Sequence, residues 1–127
     1  MAKSTYLDNA LLNAVLVNTA YASPATVYVA LYTATPGPGG GGTEVSGGSY
    51  ARTPCTFSAA SGGSLTNSAN CTFPQATASW GTIAYFGIFD NATAGNLLYY
   101  GSLTASKTIN PGDQLQFAAG GITVTES

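Results

Sequence analysis

The chain has 127 residues, 45% of them apolar, and carries only three basic and five acidic side chains and no histidine, for a net charge of −2. That length suits a single domain, 1–127, with a core that needs no staples. Three scattered cations leave no footprint for nucleic acid, no stretch approaches the roughly 18 apolar residues of a membrane span, and tuned acids and bases for catalysis have few residues to come from.

The charged residues stand singly at Lys3, Asp8, Glu44, Arg52, Asp90, Lys107, Asp113 and Glu126. A solvated monomer surface usually carries roughly a quarter to a third charged residues, whereas charged residues make up 6% of this chain. Such a surface points to coverage by neighbours, and so to structural assembly with copies of itself.

From Ala10 to Val17 the chain is apolar behind Met1-Ala2-Lys3-Ser4, in the outline of a short secretion signal. Asp8, Asn9 and Asn13 interrupt it, so an amphipathic helix over about 5–20 explains the spacing better, and the chain reads as made and used without secretion. Ser4 is a good N-cap and Asp8 meets the positive end of the helix dipole. Leu7, Ala10, Leu11, Ala14 and Val15 follow helical spacing and form one apolar arc. Leu12 and Leu16 fall on another side, either as a broader core face or as a pair docking on another subunit. Ser23-Pro24 is expected to end the segment, because the residue before proline is pushed out of the α region.

The pattern then changes to strands, over about 25–126. Residues 26–33 are apolar on both faces, as in a central strand. Thr35-Pro36-Gly37-Pro38 and Gly39, Gly40, Gly41, Gly42 follow, within a flexible Gly/Pro loop over about 35–48. It lacks the Lys-Ser/Thr ending of a phosphate loop, and it reads as a surface arm extended towards a neighbour. Further strands are expected at 50–57, 69–73, 83–89, 97–103, 115–117 and 122–124, with 83–89 and 97–103 as a hairpin. Asn110-Pro111-Gly112-Asp113 is a turn. Seven or so short strands with one N-terminal helix predict a mainly β protein, an antiparallel β-sandwich.

Cys55 and Cys71 occur in near-identical settings, Cys-Thr-Phe, with no histidine or acidic cluster to complete a metal site. They read as two small buried strand residues or as a disulfide, within or between chains. In a hairpin turning near 62–64, Cys55 would face Phe73 and Cys71 would face Phe57, which leaves the sulfurs diagonal. Neither cysteine has a base beside it in the sequence, as a catalytic thiol needs. In the adjacent pair Tyr99-Tyr100 the rings face opposite ways, so at least one is expected on the outer face, as an interface residue or part of an aromatic platform for sugar. Asp90 and Asp113 lie in turn contexts where Asp bonds backbone, not as the paired carboxylates of a glycosidase. The Asn-x-Thr triplets at Asn70 and Asn91 read as strand and turn residues.

Residues 4–13, Ser-Thr-Tyr-Leu-Asp-Asn-Ala-Leu-Leu-Asn, resemble a small family of tailed-bacteriophage virion structural proteins. The stretches 27–33 (Val-Tyr-Val-Ala-Leu-Tyr-Thr), 44–52 (Glu-Val-Ser-Gly-Gly-Ser-Tyr-Ala-Arg), 78–82 (Ala-Ser-Trp-Gly-Thr) and 86–90 (Phe-Gly-Ile-Phe-Asp) extend the resemblance over essentially the whole chain. Members are commonly labelled tail fibre proteins, and others resemble cement proteins that decorate the capsid as trimers. The two cysteines match no motif of that family. The resemblance implies no enzyme activity and no cofactor. The family label does not settle the place in the virion; the low charge, the floppy glycine arm and the amphipathic helix favour a capsid cement or decoration protein, partnered by copies of itself in a trimer and by the major capsid protein, on the virion surface. Leu12, Leu16, Tyr99 and Tyr100 are then candidate subunit contacts, and Gly37, Gly39, Gly40, Gly41 and Gly42 a candidate capsid-contact arm. The alternative is a tail or tail-fibre component that attaches to a host-surface glycan.

Overall fold

Residues 2–125 are described in a computed structural model of the chain; the expected domain bounds 1–127 and the sandwich limit at 126 reach beyond them. In chain order the elements are β1 (Ala2–Lys3), α1 (Thr5–Leu16), β2 (Val27–Ala34), β3 (Thr43–Glu44), β4 (Thr53–Cys55), β5 (Ser64–Thr66), β6 (Cys71–Thr72), β7 (Gly81–Phe89), β8 (Leu97–Ile109), β9 (Gln116–Phe117) and β10 (Thr123–Thr125). The protein is mainly β, antiparallel throughout, and forms a β-sandwich-like fold with α1 against one edge.

One layer is a six-stranded sheet in the order β1-β8-β7-β2-β3, with β4 also on β2. The opposing layer is an interrupted ribbon, in which β10 pairs β5 and β9 pairs β6. In the gap between the two pairings lies Asn67, 2% exposed. Its Nδ2 donates to the carbonyls of Ala69 and Ala118, both at 2.9 Å, and its Oδ1 accepts from the Ile122 N–H at 2.9 Å. One side chain thus satisfies three backbone groups that the broken ladder leaves behind.

β2 is apolar on both faces because the sheet is covered on both. Val29 and Leu31 enter the main core between the layers, with Cys55, Cys71, Phe73, Trp80, Ile83 and Ile88. Ala30 and Tyr32 face the other way, into a smaller cluster with Phe89 and Leu97. Gly87 belongs to that second face: a Cβ there would lie 2.9 Å from Leu97 Cδ1 and 3.2 Å from Phe89 Cε1.

The hairpin of β7 and β8 forms as expected, and Asp90 closes its connection by accepting from the Asn96 N–H at 2.7 Å. β8 continues past Leu103 to Ile109 through Thr104, Ala105, Ser106, Lys107 and Thr108, which carry no apolar alternation because they are exposed. Asp113 likewise holds its turn, accepting from the Asn110 N–H at 2.9 Å.

Three expectations from the sequence are corrected. The helix stops at Leu16, not near residue 20. Asn18 turns left-handed at φ 58°, and the N–H groups of Val17 and Thr19 both return to the Asn13 carbonyl; asparagine tolerates that conformation. The inward stripe is also narrower: Leu7 is buried and Ala10, Leu11 and Ala14 half-buried, while Val15, rotated about 80° from Leu7, is 76% exposed.

The Gly/Pro segment is the second correction. It is a folded turn and not an extended arm. Pro36 is buried, the Thr5 N–H donates to the Pro38 carbonyl at 2.9 Å, and Gly40 donates to Gly37 at 3.3 Å. Gly42, at φ 76°, lies so close to the preceding chain that a Cβ would stand 2.5 Å from the Ala34 carbonyl oxygen. The glycines permit close return of the chain onto its own sheet. Gly37, Gly39, Gly40 and Gly41 stand at or near the tip of that turn, next to the start of α1.

Third, Cys55 and Cys71 do not pair through the expected hairpin register. Phe57 bridges Asn67, after which the two segments diverge, Cys55 into the sheet on β2 and Cys71 into the ribbon on β9. The sulfurs are bonded to each other across a Cα–Cα distance of 5.6 Å. The disulfide therefore ties one layer to the other.

Candidate interaction surface

Apart from Tyr6 in the first turn, the exposed large apolar side chains gather on the outer face and C-terminal end of α1. Leu12, Val15, Leu16 and Val17 are 56%, 76%, 75% and 65% exposed. Scattered exposed leucines are ordinary, but Leu12, Val15 and Leu16 line one groove as an apolar ridge, with Val17 exposed at the helix end. Ser4 fixes where the ridge points. Its hydroxyl accepts from the Leu7 N–H at 3.2 Å and donates to the Leu97 carbonyl, while its own N–H donates to the Leu98 carbonyl at 2.8 Å. The helix start is thereby bolted to β8, beside the β1 edge of the sheet.

Between the ridge and that edge runs a groove of about 660 Å³, lined by Lys3, Asp8, Leu11, Leu12, Val15, Leu16 and Tyr99. Lys3 and Asp8 pair at its lip, 3.7 Å apart. The structure thus brings together three of the four candidate subunit contacts, Leu12, Leu16 and Tyr99. Tyr100 does not join them: it points to the opposite face of β8 and packs on the second cluster with Tyr85. The glycines of the Gly/Pro turn lie at the other end of α1. Val15 and Val17 belong to the ridge and were not expected there; the helical spacing placed Val15 inward.

A second feature, absent from the sequence reading, holds the far edge of the sheet. Arg52 grips Glu44 with two hydrogen bonds, Nε to Oε2 at 2.8 Å and Nη2 to Oε1 at 2.9 Å. Its Nη1 donates to the carbonyls of Ala94 and Asn91, at 2.7 and 3.2 Å, and its guanidinium lies 3.7 Å over the Phe89 ring. Tyr50 completes the cluster, donating to Glu44 Oε2 at 2.7 Å and accepting from the Leu31 N–H at 3.0 Å. The hydrogen bond to Glu44 raises the Arg52 pKa above its ordinary value. Burial pushes the Tyr50 hydroxyl well above the usual tyrosine range, and burial followed by the Glu44 charge lifts Tyr32 to about 12. The Glu44 carboxylate, the Arg52 guanidinium and the Tyr50 hydroxyl are all engaged within the chain. The cluster fastens β3, β4 and the 90–95 turn together, and its chemistry is that of a structural clamp.

Comparison with protein families matches residues 2–125 to the podophage GP4 fiber I protein gp80. The chain belongs to this family. The match takes in all the stretches on which the phage resemblance rests, and it makes the protein a structural, fibre-type component of a phage virion. No curated protein matches the chain.

Proposed function

We propose that this chain is a self-associating subunit of the virion's fibre apparatus, joined to its copies, as a trimer, through the apolar ridge of α1. The carrying observation is the ridge itself: four exposed apolar side chains beside a groove, in a chain with few charges to keep such a surface solvated. Burying a leucine stabilises a contact by about 1.5–3 kcal/mol, and identical subunits commonly close into small symmetric rings. The family description supports the fibre over the capsid-cement role. The cement reading also leaned on an extended glycine arm, and that segment is folded onto its own sheet. The test is a phage lacking this chain. Particles that assemble with normal heat stability but fail to adsorb to cells support the fibre role. Particles that adsorb but rupture at lower temperature contradict it and favour cement, whose binding would stabilise the assembled shell by mass action.

A further inference from the structure

The two cysteines that tie the layers together have different surroundings. Cys55 lines an apolar opening of about 430 Å³, walled by Pro24, Val27, Phe57, Leu65 and Val124, whereas Cys71 does not line it. Both cysteines belong to the main core, Cys71 at 1% exposed and Cys55 at 4%. No charged residue lines the opening among the described residues. With no cation beside it to favour the thiolate, a thiol there exchanges slowly at neutral pH.

We infer that Cys55 is a thiol–disulfide exchange site for small uncharged aliphatic disulfides, and that its bond to Cys71 closes only after the chain has left the reducing cytosol. In the first step the Cys55 thiolate attacks one sulfur of the small disulfide, forming a mixed disulfide and expelling one thiolate, which takes up a proton. In the second step the Cys71 thiolate, on a Cα 5.6 Å from that of Cys55, attacks the Cys55 sulfur and expels the other half, which is protonated in turn. Two protein thiols are oxidised by two electrons, and one small disulfide is reduced to two thiols. Cytosolic glutathione and thioredoxin keep thiols reduced, so a slow reaction at a buried thiol is completed outside. The exchange site stands on the geometry alone; late closure rests on the reading that the chain is released within a particle.

Reduced, folded protein treated briefly with 2-hydroxyethyl disulfide, acid-quenched and mapped by mass spectrometry tests the site without any substitution. The expected adduct is on Cys55. In the single variants, Cys71→Ala should accumulate the Cys55 adduct at least about tenfold faster than Cys55→Ala accumulates one on Cys71. An adduct first on Cys71, or equal rates in folded protein, overturns the assignment. Late closure is read separately, by acid quenching and alkylating infected cells and released particles. Thiols in the cells with disulfide in the particles is expected, and disulfide already complete inside the cells overturns it.

Discussion

Replacing Leu12 and Leu16 with lysine separates a surface ridge from a buried face. The two side chains are 56% and 75% exposed, so folding of the single chain buries less than half of Leu12 and a quarter of Leu16. At about 1.5–3 kcal/mol for a fully buried leucine, the monomer stands to lose roughly 1–2 kcal/mol. The lysine stems recover part of that, helix propensity hardly changes, and positive charge near the helix C-terminus is favourable. A net cost of about 1 kcal/mol lowers Tm by roughly 4 °C in a domain of this size. The exposed remainder is what a neighbour would cover, so each subunit contact loses about 3 kcal/mol, on the order of a hundredfold in association. Circular dichroism melts and sedimentation velocity on the same samples measure both quantities. The expected result is a native spectrum, a slightly lowered Tm and loss of the oligomer. An unfolded variant shows that the leucines belong to the core. An unchanged oligomer shows that the ridge is not the interface.

Three other perturbations probe the fold. Asn67→Ala strands three backbone groups in the ribbon gap and should cost about 3 kcal/mol, read as a denaturant midpoint shift; a shift near zero refutes the role given to its side chain. Joint replacement of Cys55 and Cys71 by alanine releases a crosslink of sequence separation 16 and should cost about 3 kcal/mol, or roughly 12 °C in Tm; an unchanged Tm means that the layers hold together without it. Tyr32 and Tyr50 have raised folded pKa values, so each binds its proton more tightly when folded. The stability from Tyr32 is fully present below its unfolded value near pH 10 and is lost as pH climbs through about 12. Melts should be insensitive to this pair in neutral buffer and collapse in the alkaline range, and a Tyr50→Phe, Tyr32→Phe variant with the same alkaline collapse excludes the two tyrosines as its cause.

The hairpin of β7 and β8 was legible because Ile83–Phe89 and Leu97–Leu103 are apolar runs bracketing Asp90-Asn91 and Gly95-Asn96, where local chemistry and tertiary pairing agree. The second half of β8 was not, since an exposed strand has no buried face to impose alternation. Asn18 is a stop signal that a single asparagine does not announce, so the helix looked longer than it is. The glycine run suggested freedom because glycine lacks a side chain; the same lack allows Gly42 to approach the Ala34 carbonyl. Of the surface, Leu12 and Leu16 were readable from helical phase. Tyr99 was readable only as one of a pair, and the exposure of Val15 and Val17 depended on which side of α1 the rest of the chain covers. The clamp of Glu44 and Arg52 joins residues eight apart by a chain path that no local period encodes. The disulfide crosses between layers, so the hairpin assumption gave it the wrong neighbours.

Place in the virion and copy number are both measured by quantitative mass spectrometry of purified particles with antibody labelling in the electron microscope. The expected result is label confined to the tail fibres, at a low copy number in multiples of three. Label spread over the capsid at a copy number set by the shell lattice contradicts it.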